Sequence, residues 1–205
     1  MVRGGALFNT VPYGMRWDMA TRKTGAPGDR LSAADWEAAA LDALAESGLG
    51  GVAVEPLARR LGVTKGSFYW HFADREALLK AALSRWEEAH TERVIAAVSD
   101  VRDPRERLVR LLGLGLAGGR SDRIHIALAN ANHPLVRDAL ARVTHRRLEY
   151  LESCYVGLGR PRGEARRSAL MAYTVYVGLI HLRLEAPKEL SSHRAVEHFV
   201  SKLVP

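Results

Sequence analysis

Between Glu55 and Phe72, two short amphipathic segments meet at Gly62, and this spacing restricts the possible folds of the chain strongly. Two short helices joined by so tight a turn cross at roughly 90–120°. The crossing needs a small residue where the helices touch and, four positions later, a residue that tolerates a positive φ. Ala58 and Gly62 meet these needs, and the inward-facing apolar positions are Leu57, Leu61, Val63 and Phe68. The sequence therefore predicts a helix-turn-helix whose second helix follows Thr64.

Helical periodicity also dominates the chain from Ser32 onward, and almost no window alternates with the period of two that a strand would show. A capping box at Ser32 and Asp35 begins the first helix, and Gly48 ends it. Further helices are predicted over residues 55–61, 65–72, 74–99, 104–117, 122–131, 134–156, 163–185 and 192–203. We therefore expect an all-α fold.

Composition argues against several classes of protein. The most apolar stretch, residues 169–182, is too short for a membrane span and contains His181. The single cysteine, Cys154, argues against a disulfide framework and a cysteine-rich zinc site, so the cytoplasm is the expected compartment. Residues 1–30 lack a secretory signal and are interpreted as a mobile arm. The histidine spacings match no metal-ligand template, and we expect neither a metal nor a cofactor.

The net charge of +7 suggests a polyanionic partner, but its distribution does not identify the binding segment. Residues 30–80 contain six basic and seven acidic side chains, a net charge of −1, whereas residues 81–205 contain twenty and fourteen, a net charge of +6. A prediction of DNA binding therefore depends on the helix-turn-helix pattern and on a few individual residues.

The outward face of the second helix of this motif supplies the candidate DNA contacts. Thr64 and Lys65 place a hydroxyl and a cation at a helix N-terminus, which attracts phosphate, and Gly66 allows the backbone to approach closely. A cation at Arg75 would oppose the dipole of the next helix, which suggests an external anion as its partner. The remaining candidates are Ser67, Tyr69, Trp70 and His71, and the ring of Trp70 is expected to pack partly on its own domain.

Residues 31–83 resemble the DNA-binding domain of the TetR family of repressors. The run Leu-Ala-x-x-Leu-Gly-Val-Thr-Lys-Gly-Ser-Phe-Tyr-Trp-His-Phe at residues 57–72 is similar to the family signature nearly throughout, and Asp74-x-Glu76-x-Leu78 extends it. The resemblance implies an all-helical homodimer, DNA contacts from the third helix and a C-terminal effector pocket. It places phosphate or base contacts at Thr64, Lys65, Tyr69, Trp70, His71 and Arg75. Ala53 departs from the family, which usually has Thr or Ser there as a helix cap.

We therefore divide the chain into an arm (residues 1–30), a three-helix DNA-binding domain (31–80) and a larger helical effector-binding and dimerisation domain (81–205). The helix at residues 163–185 is apolar on nearly every side, and the last helix is amphipathic, so both are predicted to form the dimer interface. The dimer would place two recognition helices about 34 Å apart. Candidate pocket residues, which could equally be core or interface residues, are Trp86, His90, His125, Asn130, Tyr173 and Tyr176.

These features predict a ligand-responsive transcriptional repressor that binds a palindromic operator as a homodimer and is released by a small, mainly apolar effector. The alternative is a DNA-binding activator, or a regulator controlled by a protein partner without a small ligand. An architectural DNA-binding protein without sequence preference is a further alternative. An enzyme would need a nucleophile–base pair or a metal site, and the sequence suggests neither, so we expect no catalytic activity.

Overall fold

The computed structural model describes residues 31–116, 118–188, 190 and 193–205, and every described element is helical. A 3-10 turn spans Leu49–Gly51, and a π-helical turn spans Glu88–Glu92. The α-helices are α1 (Ala33–Ser47), α2 (Val54–Leu61), α3 (Lys65–Phe68), α4 (Arg75–Glu87), α5 (Arg93–Ser99), α6 (Pro104–Leu116), α7 (Arg120–Ala129), α8 (Pro134–Gly157), α9 (Arg162–Glu185) and α10 (His193–Leu203). The all-α prediction is confirmed, and most predicted boundaries agree within two residues.

The predicted signals at the ends of α1 and α2 are present. The Ser32 N–H donates to Asp35 Oδ2 at 2.8 Å, which completes the capping box of α1. Gly62 follows α2 with φ of 70° and ψ of 28°, the left-handed conformation expected at the turn. The Val63 N–H then donates to the Ala58 carbonyl at 3.0 Å and closes the turn. Ala53 precedes α2 without a side-chain cap, as its sequence implies.

Helix α3 is shorter than predicted. The sequence indicates a helix over residues 65–72, but the α-helix ends at Phe68, and the chain continues to Phe72 as turns. The His71 and Phe72 N–H groups both donate to the Phe68 carbonyl, at 2.9 and 3.0 Å. This tight turn buries the rings of Phe68 and Phe72, with centroids 5.7 Å apart, and leads to Asp74, whose Oδ1 caps α4 by accepting from the Ala77 N–H.

The predicted helix over residues 74–99 exists, but the π-helical turn at Glu88–Glu92 divides it into α4 and α5. Such a turn contains one residue more than an α-helical turn, so it changes the register of the residues that follow, and it often marks a functional site. Thr91, within this turn, is buried.

Two hydrophobic clusters form the core. The first cluster joins α1–α4 to α7 and the N-terminal part of α8, with Trp36, Leu44, Phe68, Trp86, Leu128 and Val136 among its buried residues. The second cluster joins α6, α8, α9 and α10 through residues that include Leu108, Tyr155, Ala169, Val196 and Val200. Residues 32–205 form one compact unit, in which α1 packs on α7 and α4 packs on α8. The predicted arm lies outside the described residues. Among the helices described, none is both long and apolar enough to cross a membrane.

Candidate nucleic-acid interface and buried aromatic cluster

The turn that contains α3 combines a buried anchor with exposed aromatic rings. Phe68 is fully buried and contacts the Trp36 ring edge-on, with centroids 5.3 Å apart. Tyr69 is 57% exposed and Trp70 is 87% exposed, although large aromatic side chains are usually buried. The expectation that Trp70 packs partly on its own domain is therefore wrong. Its ring is held out from the protein because Phe68 and Phe72 occupy the inward positions of the turn.

Lys65, at the first position of α3, is exposed and forms an ion pair across the turn. Its Nζ donates to Glu55 Oε1 at 2.9 Å. The hydrogen bond and charge of Glu55 raise the pKa of Lys65, and those of Lys65 lower the pKa of Glu55. Both groups are therefore charged near neutral pH, and the cation expected to bind phosphate has an acidic neighbour.

The other candidates on this turn differ in exposure. Thr64 and Gly66 are exposed, and Ser67 and His71 are half-buried. A Cβ atom added at Gly66 would meet only Thr64 Oγ1, at 3.7 Å, so the backbone at Gly66 borders open space. This geometry permits close approach by a ligand, as expected for this position.

Arg75 lies at the start of α4, and its positive charge already has acceptors within the chain. Its Nε donates to the Val52 carbonyl at 2.5 Å, and its Nη2 donates to the Leu49 carbonyl at 2.8 Å. These bonds fix the loop between α1 and α2. They also correct the electrostatic argument for an external anion, because two carbonyl groups already face the guanidinium. A phosphate contact at Arg75 stays a prediction.

Ion pairs involve several of the acidic side chains of residues 30–80. Arg60 of α2 binds Glu46 of α1 through two hydrogen bonds of 2.7 and 2.9 Å and lies 3.9 Å from Asp42. Glu37 of α1 lies 3.5 Å from Arg85 of α4. These carboxylates lie on α1, and each has a basic side chain within 4 Å.

Five of the six candidate pocket residues lie in one place, which we call the aromatic cluster: Trp86, His90, His125, Tyr173 and Tyr176. The His125 ring lies between Trp86 and Tyr176, with centroid distances of 6.3 and 6.2 Å, and Tyr173 lies 5.8 Å from Tyr176. Asn130 is separate from this group. It is exposed at the end of α7, where its Nδ2 donates to the Ile126 carbonyl at 3.1 Å.

Arg147 of α8 belongs to the aromatic cluster, although the sequence pattern suggested that the arginine-rich stretch at residues 142–147 forms a solvated face. That interpretation holds for Arg142 and Arg146, which pair with Glu87 at 3.1 Å and Glu92 at 3.0 Å. Arg147 instead contacts the rings of Trp86 and Tyr176. The sequence spacing could have indicated this position, because Arg147 lies four residues before the buried Leu151 and therefore on the same face of α8.

The Arg147 guanidinium joins three helical elements. Its Nε donates to Thr91 Oγ1 at 3.0 Å, its Nη2 to the His90 carbonyl at 3.0 Å and its Nη1 to Tyr176 Oη at 3.1 Å. It also lies over the rings of Trp86 and Tyr176, with its central carbon 5.8 and 5.4 Å from their centroids. The π-helical turn makes the His90 carbonyl and the Thr91 hydroxyl available to one side chain.

Two buried polar atoms of the aromatic cluster have no hydrogen-bond partner in the described part of the chain: Trp86 Nε1 and His125 Nδ1. Burial, followed by the positive charges of Arg147 and His181, lowers the pKa of His125 to about 4. Burial also raises the pKa of the Tyr176 hydroxyl. Both groups are therefore neutral near pH 7.

An open groove of about 460 Å³ lies where the C-terminal end of α1 meets α7. Its walls are mainly apolar and include Leu44, Leu49, Ile126, Asn130 and Leu184. Asn130 thus faces this groove rather than the aromatic cluster.

The two helices expected to form a dimer interface differ in their apolar faces. On α9, a stripe containing Leu170, Met171, Thr174, Gly178 and Leu182 is exposed, with Leu170 and Met171 55% and 54% exposed. On α10, the apolar residues Val196, Val200 and Leu203 are buried in the second core cluster of their own chain. Since the apolar face of α10 already packs within the chain, its amphipathic pattern no longer argues for an interface, and a dimer contact by α10 stays a prediction.

Neither a metal centre nor a reactive cysteine emerges from the described residues. Within them, no three His, Cys, Asp or Glu side chains come together as possible metal ligands. Cys154 is buried in the second cluster, and burial raises the pKa of its thiol.

Known protein sequences are similar to the N-terminal part of this chain. Residues 38–82 match the family described as bacterial regulatory proteins, tetR family. Over 65 residues, the chain is 46% identical to the tetracycline repressor protein class A from transposon 1721 of Escherichia coli. That match spans 31% of this chain and only 30% of the length of the repressor.

Solved structures show that the whole helical fold has relatives. A transcriptional regulator from Rhodococcus sp. Rha1 is 24% identical, with a TM-score of 0.70 over 85% of this chain and 94% of that protein. A transcriptional regulator from Saccharomonospora viridis in complex with choline is 21% identical, with a TM-score of 0.69 over 83% and 92%. FadR from Bacillus subtilis in complex with stearoyl-CoA is 15% identical, with a TM-score of 0.67 over 84% and 98%.

The sequence match is confined to the helix-turn-helix, and the structural matches extend over most of the chain. In its N-terminal part, over residues 38–82, this chain is therefore similar to the tetR family of bacterial regulatory proteins.

Proposed function

We propose that this protein is a ligand-responsive transcriptional repressor that works in the cytoplasm, binds a palindromic operator as a homodimer and is released by a small effector with a mainly apolar body. The observation that carries the proposal is the exposure of Tyr69 and Trp70 beside Lys65 on a turn whose other face is fixed by the buried Phe68. Exposed aromatic rings cost free energy in water, so a partner surface that covers them is expected.

The proposed DNA contacts are Thr64, Lys65, Gly66, Ser67, Tyr69, Trp70, His71 and Arg75. Lys65 and the Tyr69 hydroxyl supply donors for phosphate oxygens, which position the protein on the duplex. Gly66 allows the backbone to approach, and Trp70 supplies an apolar surface of the kind that contacts thymine methyl groups. Two of the five N–H donors of Arg75, one on Nε and one on Nη2, already bind carbonyl groups, and the remaining donors are proposed to contact phosphate.

The proposed dimer forms through the exposed stripe of α9. Gly178 lies within this stripe, and a Cβ atom added there would meet nothing within 4 Å. A two-fold axis through the stripe would bring two copies of α9 close together and produce an isologous interface. Two recognition turns could then enter successive major grooves, as a palindrome requires.

A set of contacts between α8 and the α4–π-turn segment would connect effector binding to the helix-turn-helix. Arg142 contacts Glu87, Arg146 contacts Glu92, and Arg147 contacts Thr91 and the His90 carbonyl. Asp74 caps the other end of α4, directly after the turn that holds α3. Displacement of α8 in the aromatic cluster would therefore move α4 and, with it, the DNA-binding turn. Effector and operator would then weaken the binding of each other reciprocally.

In the first experiment, the full chain is mixed with a pool of random DNA sequences, and the sequences that bind to it are selected. A repressor predicts enrichment of a palindromic site, whereas an architectural protein predicts no preferred sequence. Lys65→Ala should weaken binding to selected and unselected DNA alike and reduce the salt slope by about 1, because one phosphate contact is lost. Lys202→Ala, on an exposed position of α10, is the matched control.

Transcription from a promoter that contains the selected site then separates the proposed repressor from an activator. Repression that a small compound relieves supports the proposal. Failure to select any site, or activation of the promoter, would contradict it.

A further inference from the structure

We propose that the effector carries a carboxylate and that the Arg147 guanidinium binds it within the aromatic cluster. This inference rests on the proposed function, because it names the chemical class of ligand that releases the protein from DNA.

The first argument is the number of donors that Arg147 retains. A guanidinium has five N–H donors, and the described contacts of Arg147 use three, one on each nitrogen. One N–H therefore remains on each of the two terminal nitrogens. One donor on each terminal nitrogen is sufficient to bind the two oxygens of one carboxylate.

The second argument is the charge around this guanidinium. Its three described acceptors are two hydroxyl groups and one carbonyl, all of them neutral. The acidic side chains of the surrounding elements have basic partners: Asp122 binds Arg183 at 3.0 Å, Glu92 binds Arg146 and Glu87 binds Arg142. A half-buried cation with only neutral acceptors favours one anionic ligand, since buried charges are normally paired.

The third argument is that the neighbouring polar groups can also donate. The indole N–H of Trp86 is fully buried and has no acceptor in the described residues. Tyr176 Oη accepts from Arg147 and, since its pKa is raised, keeps a proton that it can donate. A buried N–H without an acceptor costs free energy, and a carboxylate oxygen would satisfy it.

Access and selectivity follow from burial and ring geometry. Arg147, His90 and Tyr176 are only partly buried, so the cluster is reachable from its surface, whereas Trp86 and His125 form its floor. The guanidinium already lies over the faces of Trp86 and Tyr176. A quaternary ammonium would compete with Arg147 for these faces and would be repelled by its charge, so this cluster disfavours cationic ligands.

Matched ligand pairs provide the test. Calorimetry on the full chain compares benzoate with benzamide and octanoate with octanamide, and choline serves as the cationic probe. We expect binding by at least one carboxylate and weaker binding, by about 10- to 100-fold, of the amide of the same shape. Arg147→Gln should reduce carboxylate affinity by the same factor, while Arg166→Gln, which removes an exposed arginine from a surface ion pair with Glu152, should leave it unchanged.

A second variant covers the case in which Arg147→Gln fails to fold. Arg147→Lys keeps the charge but loses the planar pair of donors, so it should retain charge selectivity with reduced affinity. The inference is overturned if none of the carboxylates binds, if amides bind as tightly as acids, or if both Arg147 variants fold and keep wild-type affinity.

DNA release, measured separately on the selected operator, distinguishes this inference from the proposed function. Carboxylate binding that depends on Arg147 but leaves the operator bound would support the site and contradict the proposed mechanism of release. Release only by neutral or cationic compounds would support the proposed function and overturn the carboxylate assignment.

Discussion

Lys65 Nζ lies 2.9 Å from Glu55 Oε1, so an ion pair spans the turn of the helix-turn-helix. Both side chains are more than half exposed, at 52% for Lys65 and 68% for Glu55. Solvent and salt therefore screen their attraction, and such exposed pairs contribute little to folding. The consequence of the pair concerns ligand binding instead, because a carboxylate next to the proposed phosphate contact repels DNA.

Glu55→Gln should strengthen DNA binding several-fold at low salt, and the gain should shrink as salt is added. The substitution removes the acidic neighbour of Lys65 and leaves a side chain of similar shape, while the melting temperature should change little because the pair is exposed. Fluorescence anisotropy at several salt concentrations measures the effect. Glu88→Gln makes the same charge change in the π-helical turn that follows α4, and the affinity of this variant for DNA should remain that of the unmodified chain. Equal or weaker binding by Glu55→Gln would argue against phosphate near Lys65.

Trp70→Ala should weaken DNA binding by about 10-fold or more without lowering stability. Its ring is 87% exposed, so truncation removes almost no contact within the chain, and aromatic residues at interfaces commonly contribute more than 1 kcal/mol. Band-shift assays and thermal unfolding measure the two quantities. Phe68→Ala is the reference for a buried position of the same turn and should cost about 3–5 kcal/mol of unfolding free energy. A large drop in melting temperature for Trp70→Ala would show that the ring packs within the protein.

Met171→Asp should convert the proposed dimer into a monomer and abolish tight binding to a palindrome. A charge at the centre of an apolar interface would be desolvated without a partner, which typically costs several kcal/mol. Analytical ultracentrifugation measures the mass. Lys202→Asp tests α10 in the same way, and because the apolar face of α10 is buried in its own chain, this variant should remain dimeric. The opposite pattern would place the interface on α10.

Acidification should destabilise the protein through His125. The pKa of this buried imidazole is about 4, below the value of 6.5 for an ordinary histidine. As the pH falls below about 6.5, the unfolded chain takes up a proton that the folded protein refuses, so the stability present above pH 6.5 is lost progressively until about pH 4. At 1.36 kcal/mol per unit of pKa, the full loss is about 3 kcal/mol. Urea unfolding across this range measures the effect.

His125→Phe preserves an aromatic ring between Trp86 and Tyr176 but cannot bind a proton. This variant should lose less stability than the unmodified chain over the same pH range. His145→Gln, at an exposed position of α8 beside Glu149, is the control and should behave like the unmodified chain. Identical pH dependence in the His125→Phe variant would show that other groups control acid stability.

Much of the helix-turn-helix could be predicted from local chemistry. Gly62 adopts a left-handed backbone conformation that glycine accepts without strain, and Ser32 with Asp35 forms a cap that is complete within four residues. The exposure of Trp70 could not be predicted in this way, because three aromatic residues follow one another at residues 68–70 and the sequence does not indicate which of their rings the turn buries. The rings of Phe68 and Phe72 both face the core because α3 ends at Phe68 and the chain continues as turns.

The amino-acid sequence by itself determined the all-α class, most of the helix boundaries and the candidate DNA-binding turn, because caps, glycines and apolar periods act over a few residues. Only the tertiary structure decided that Arg147 contacts Tyr176 while Arg146 forms an ion pair with Glu92. It also decided that the apolar face of α10 is buried within the chain. A side chain on a helix can be buried by any element that packs there, and the packing of α8 against the π-helical turn and α9 depends on residues distant in sequence. Local pattern therefore gives the helices, and long-range packing selects which of their charged and apolar groups remain available to a ligand.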